Sequence, residues 1–187
     1  PEDVKRVAGK IYDEAQRLIV LVGDIMEISR LDEGVTEYKK EQTDLLDVIE
    51  ECKERLQESA DRKEIKIEVE GSPLVFETTK PILEEVVYNL MDNAIKYNRE
   101  QGNVTVRIFR KEKQFGFSVK DTGIGIPLIH QDRIFERFYR VDKSRSKEIG
   151  GTGLGLSIVK HGVSCLGAQI SVDSIPDEGS TFTVTWG

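Results

Sequence analysis

Asp121-Thr-Gly-Ile-Gly-Ile-Pro127 leaves an alternating apolar segment through a glycine pair, and Gly150-Gly-Thr-Gly-Leu-Gly-Leu-Ser157 runs from a second glycine cluster into a helical pattern. Glycine lets backbone amides approach a ligand where a Cβ would collide. A glycine-rich turn that opens a helix also points unsatisfied N–H groups and the positive dipole end at an anion. Taken singly, each cluster reads by default as simple turn glycines. Neither has the G-x-G-x-x-G spacing of a dinucleotide fingerprint, and no Lys-Ser or Lys-Thr follows to make a P-loop. Between them lie Pro127, a short helical stretch over His130–Tyr139, and Asp142–Glu148, a polar run with no apolar residue. Two glycine hinges around a polar cover are what a nucleotide site needs to shut out water, so a lid is expected over about 124–151.

Outward from this pair, Val104, Val106 and Ile108 alternate with polar residues, as do Phe115, Phe117 and Val119, with a charged hairpin turn between them. Leu154–Leu166 reads as a helix, and Gln169–Val172 and Thr181–Trp186 as strands separated by a Pro176–Gly179 turn. Upstream, Thr43 or Asp44 can cap a helix through about Ala60, Ile65–Glu70 alternates as a half-buried strand, and Lys80 or Pro81 starts a helix through Tyr97. Runs of strands with segregated helices predict an α+β fold: a two-layer α/β sandwich with helices on one face of the sheet.

A long helix precedes this. Pro1–Asp3 suits a helix start, and the lack of an initiating Met leads us to expect an excised fragment. Val4, Ile11, Leu18 and Ile25 recur every seven positions, with Ala8, Ala15 and Val22 four further on. Such a seam suits a bundle or coiled coil, or else a helix packed on its own domain. Gly34 ends it, dividing the chain into 1–34 and 35–187.

Composition narrows function by exclusion. The 187 residues carry 27 Lys plus Arg against 34 Asp plus Glu, a net charge of −7, with 38% apolar and 33% charged residues, as in a soluble globular protein. The acidic balance argues against nucleic acid, whose phosphates need clustered cations. No apolar run approaches the roughly 18 residues of a membrane span. Cys52 and Cys165 have no metal or disulfide spacing, so both are expected to be reduced thiols in a cytosolic setting. On the third helix Asn89, Asn93 and Lys96 fall at i, i+4 and i+7 and share a face. Amide oxygens suit Mg²⁺ and an ammonium suits phosphate, although Lys96 taken alone reads better as solvated surface. Asn is a mediocre helix former, so two stacked within a helix call for a reason beyond solubility.

These residues resemble the kinase core of bacterial sensor histidine kinases of the GHKL ATPase superfamily. Asn89–Asn98 is similar to that family's N box, Asp121–Pro127 to its G1 box, Phe135–Arg140 to its F box and Gly151–Leu156 to its G2 box, in order and with family spacing. The resemblance covers the chain from Gly34 onward. Ile28–Gly34 resembles the end of the second helix of the family's dimerisation and phosphoacceptor hairpin, and the closest likeness is to the membrane-anchored, phosphate-sensing type.

The resemblance implies a Bergerat-type fold with a mixed sheet, and it assigns roles. Asn93 would hold Mg²⁺ on the ATP phosphates with Asn89 beside it. Lys96 and Tyr97 would contact the nucleotide, and Asp121 would accept from the adenine amino group. Gly123, Gly125 and Ile126 would pass close to the base. Arg140 would stabilise charge during transfer, as would Arg145 or Lys147. Gly151, Gly153, Leu154 and Gly155 would cradle phosphates, Thr181 would reach adenine directly or through water, and Phe135 and Phe138 would anchor the lid.

Hydrolytic relatives place a Glu where Asn89 stands, and Asn cannot act as a base, so the implied chemistry is transfer, with Asn89, Lys96 and Arg140 as its catalytic set. The nucleophilic His motif of the family is missing, and His130 and His161 lie where the family does not phosphorylate. The implied setting is the cytoplasmic part of a membrane-anchored sensor, homodimeric through the hairpin helix, with a response regulator receiver domain as partner and no membrane contact of its own. A hydrolytic ATPase module and a degenerate nucleotide-binding module are the competing classes.

Overall fold

The structure is a computed structural model that describes residues 2–33, 39–141 and 152–187. Gly34, Arg145, Lys147 and Gly151 lie outside the described residues, as does the expected boundary at 34/35. The elements are α1 (Glu2–Glu33), β1 (Glu41–Asp44), α2 (Leu45–Asp61), β2 (Lys66–Glu70), β3 (Val75–Thr78) and α3 (Lys80–Lys96), then β4 (Asn103–Lys111), β5 (Gln114–Asp121), α4 (Leu128–Gln131), α5 (Gly155–Cys165), β6 (Gln169–Ile175) and β7 (Gly179–Trp186).

Five strands make one mixed sheet in the order β2-β4-β5-β7-β6. Only β2 and β4 run parallel, and the remaining neighbours are antiparallel. Leu45, Val48, Ile49 and Leu56 of α2 and Leu83, Val86, Val87 and Leu90 of α3 close over Val104, Val106, Phe117, Val119 and Val184 of the sheet, and Val159 and Val163 of α5 join the same core. This is the expected two-layer sandwich, and burial of these helix stripes on one sheet face is its main stabilising term. Cys52 is buried in that core, where burial pushes its thiol up to about 11, and neither cysteine forms a disulfide.

The sequence reading omitted the two-stranded antiparallel sheet of β1 and β3, which pairs Asp44 with Val75. Asp44 also starts α2: its Oδ1 accepts from the N–H of Leu46 and from that of Leu74, each at 3.0 Å. One carboxylate therefore caps a helix and fixes the strand connection beside it. The short helix near the glycine pair occupies Leu128–Gln131 rather than His130–Tyr139, because Pro127 at its N-cap sets the start and turns follow from Asp132.

α1 touches the sandwich through Leu21, which packs on Ile82, Leu154 and Ile158. The heptad residues stay largely in the open: Val4, Ile11, Leu18 and Ile25 are 71%, 65%, 53% and 46% exposed. Among the described residues no helix is long and apolar enough to cross a membrane.

Replacing Asp44 with Ala removes the α2 cap and strands the Leu74 N–H. The variant is expected to lose about 2 kcal/mol of unfolding free energy, read as a lower urea midpoint with an unchanged slope.

Candidate functional site

A cleft of about 570 Å³ opens between α3, the loop after β5, the entry to α5 and the β6–β7 turn. Its deepest ionisable group is Asp121, 6% exposed at the end of β5. Asp121 Oδ1 accepts from the backbone N–H of Gly123 at 2.8 Å and of Ser180 at 3.3 Å. Burial raises this carboxyl above its ordinary range, and the two backbone donors pull it partly back. Both bonds end on one oxygen, which leaves Oδ2 as acceptor for a donor entering the cleft.

The loop after Asp121 is threaded between two elements. Ile124 N–H donates to Tyr97 O at the end of α3, and Asp177 N–H in the β6–β7 turn donates to Ile124 O. Ile126 N–H donates to Ser174 Oγ at 2.8 Å, and Arg99 donates to the carbonyl of Asp177. Gly125 has a φ of +66°, and a Cβ there would run into the Ile175 carbonyl, so no other residue permits this path. Gly123 does not line the cleft; it lies against the Tyr97 carbonyl and holds the loop in place.

α3 supplies a polar wall of Glu85, Tyr88, Asn89, Asp92, Asn93, Lys96 and, at its C-cap, Tyr97. Asn89 Nδ2 donates to Glu85 Oε1 at 2.7 Å and to Glu85 O at 2.9 Å. Lys96 Nζ pairs with Asp92 Oδ2 at 2.6 Å, a half-exposed i,i+4 pair that a more strongly charged ligand can displace. The entry to α5 abuts this wall: a Cβ on Gly155 would lie 2.9 Å from Asn89 Oδ1. Glycine there brings the N-terminus of α5 against the paired amides, a placement suited to phosphate.

Arg140, Tyr139, Thr152 and Gly153 close one side. Phe135 packs edge-on against Phe182, their ring centroids 6.4 Å apart, as an anchor should. Phe138 does not anchor: it is 58% exposed at φ +63°, and its backbone N–H donates to Gly153 O at 2.9 Å. His130 sits outside the lining residues, its Nδ1 2.6 Å from the Tyr139 hydroxyl.

The cleft thus gathers Asn89, Asn93, Lys96, Tyr97, Asp121, Gly125, Ile126, Arg140, Gly153 and Gly155 from the expected set. Leu154 lies beneath it, fully buried against Ile82 and Ile158, with its amide donating to Thr152 Oγ1 at 3.3 Å. Thr181 is turned away because β7 alternates: Ser180 and Phe182 line the cleft, and Thr181 points to the opposite face of the sheet. Glu85, Asp92, Thr152 and Ser180 were missed. Glu85 stands four residues before Asn89 on the same helical face, a signal present in the spacing.

Known proteins share this fold and sequence pattern. The family described as "Histidine kinase-, DNA gyrase B-, and HSP90-like ATPase" matches residues 78–187. The chain is 35% identical over 187 residues to the sensor-like histidine kinase SenX3 of Mycolicibacterium smegmatis, covering 99% of this chain and 48% of that protein. It spans less than half the length of the curated relatives it matches first. Among solved structures, the mycobacterial sensor histidine kinase MprB superposes with a TM-score of 0.68 at 30% identity, over 78% of this chain and 95% of that one. Full-length ShkA in complex with AMPPNP superposes with a TM-score of 0.81 at 27% identity, over 99% of this chain and 38% of that one.

Asp121→Asn separates binding from stability. A carboxyl raised by burial stabilises the fold below its unfolded value and loses that contribution as pH rises through the folded value. Asn mimics the protonated form and keeps an acceptor for Gly123 and Ser180. The variant should therefore melt no lower than the parent at pH 7, yet bind an adenine nucleotide about tenfold or more weakly. In the parent, affinity should fall on acidification at a pH above the ordinary Asp range. Calorimetric titration and thermal melts across pH check all three outcomes.

Proposed function

This chain belongs to the histidine kinase-, DNA gyrase B- and HSP90-like ATPase family, and on that premise we propose that it is the ATP-binding kinase core of a sensor histidine kinase. It would transfer the ATP γ-phosphate to a histidine outside this chain, for relay to a response regulator aspartate. The observation that carries the reading is the pairing within one cleft of a buried carboxylate, Asp121, with two amides and a cation, Asn89, Asn93 and Lys96, against the glycine entry of α5. The first suits the amino edge of adenine, and the second a triphosphate. ShkA, a relative in fold and sequence, is described in complex with AMPPNP, a nucleotide of this shape.

Asn89 turns its Oδ1 toward the entry of α5 and amide oxygens are hard donors, so the site fits Mg²⁺, with Asn93 as its protein ligand and Asn89 beside it. When bound, the ion would offset charge on the transferring phosphoryl group. The chain's own residues do the rest. Asp121 orients the base, Lys96 exchanges Asp92 for a phosphate oxygen, and Arg140 approaches the γ-phosphate as charge develops. Hydrolysis is disfavoured because Asn89 is no base. Glu85, the carboxylate one helical turn before it, accepts a hydrogen bond from it.

In this reading 1–34 is the second helix of the dimerisation hairpin and 35–187 the catalytic domain, with its lid at about 124–151. The exposed heptad residues of α1 support homodimerisation through the hairpin, and the receiver domain of a response regulator is the onward partner. The whole protein would be a membrane-anchored sensor with this part in the cytoplasm.

Incubating the chain with labelled ATP and a separately supplied phosphoacceptor hairpin tests the reading. Label on the hairpin histidine is expected. Free phosphate alone would mark a hydrolytic ATPase, and no turnover a binding module. Asn93→Ala should abolish the transfer while the fold's far-UV spectrum stays unchanged.

A further inference from the structure

The contact between Glu85 and Asn89 lies outside the roles assigned above. A side-chain amide has two ends of nearly equal size and opposite chemistry, and nothing in Asn89 itself decides which one faces the cleft. Glu85 decides it. The two atoms it places beside the amide are both acceptors: the carboxylate Oε1 at 2.7 Å and the backbone carbonyl at 2.9 Å. Neither can donate, so the NH₂ group must face them, and both of its hydrogens are used. The carbonyl is also committed to the helix ladder, since it is four residues back from Asn89, which leaves the charged oxygen as the stronger partner. A flipped amide would set Oδ1 against a carboxylate. With the nitrogen so held, Oδ1 is turned to the entry of α5, 2.9 Å from where a Gly155 Cβ would stand.

We propose that Glu85 is a positioning residue, whose carboxylate locks the Asn89 amide so that its oxygen, and not its NH₂, faces the phosphate and cation end of the cleft. The inference rests on the ATP–Mg²⁺ reading of that cleft. It explains why an acidic side chain lines a site meant for an anion. Glu85 does not meet the ligand; it ensures that Asn89 offers a cation an oxygen.

The test is titration of AMPPNP into the parent chain, Glu85→Gln and Glu85→Met, each with and without Mg²⁺. The parent should gain affinity when Mg²⁺ is present. Glu85→Met, of similar length but with no such acceptor, should lose most of that gain, binding about tenfold more weakly with Mg²⁺ and within about twofold of the parent without it. Glu85→Gln keeps an acceptor oxygen and should stay within about twofold in both conditions. Retention of the full Mg²⁺ gain by Glu85→Met overturns the proposal, as does an equal loss in Glu85→Gln, which would make charge and not orientation the cause. Failure of the parent to bind AMPPNP at all would instead overturn the ATP reading. One measurement needs neither variant nor ligand: the side-chain NH₂ protons of Asn89 in the parent should exchange with water more slowly than those of an exposed Asn, because both are hydrogen-bonded to Glu85. Exchange as fast as that of an exposed Asn would also overturn the proposal.

Discussion

The buried carboxylate of Asp121 is the constraint on which the site depends. It ends β5, and its Oδ1 takes backbone donors from the loop that follows and from the start of β7. One oxygen thereby fixes where the glycine loop leaves the sheet and how β5 and β7 meet at the cleft. The loop can then run between Tyr97 and the β6–β7 turn only because Gly125 adopts a left-handed conformation against the Ile175 carbonyl. Desolvating a carboxylate costs free energy, and two backbone hydrogen bonds offset only part of it. The remaining cost is consistent with a group kept for recognition, since a buried acceptor at the base of a cleft discriminates strongly among ligands.

The opposite wall solves a different problem. A helix that buries Val86, Val87 and Leu90 in the core must keep a polar stripe only a few ångströms away. α3 does so by pairing that stripe internally: Asn89 with Glu85, and Lys96 with Asp92. Both pairs span one helical turn, so helix geometry alone brings them together. The wall is thus preorganised before any ligand arrives. The acidic total of the chain conceals it, because Lys96 and Arg140 gather at a single cleft in a molecule whose net charge is −7.

Much of the fold was legible because its elements are periodic. α2, α3, β4, β5 and α5 carry unbroken apolar spacing and appear within a residue or two of expectation. β1 and β3 were not legible: each is four residues long and is defined by pairing with the other across α2 and β2, so no local pattern announces them. Phe138 has an aromatic side chain that reads as an anchor, yet its backbone is drawn into the left-handed region by the bond to Gly153, and the ring is left exposed. Thr181 and Ser180 are neighbours in a strand, and the choice between them depends on which face of β7 meets the cleft.

The sequence by itself determined the four boxes, their order and the residue types at the site, because glycine, amide and carboxylate chemistry is carried locally and its spacing survives without coordinates. Only the tertiary structure decided which of those groups converge. It placed Ser180 in the cleft and left Thr181 out, and it sank Leu154 into the core. The reason is directional: a sequence records which donors and acceptors are present, whereas a hydrogen bond depends on where each one points, and that is fixed only when strands and helices pack.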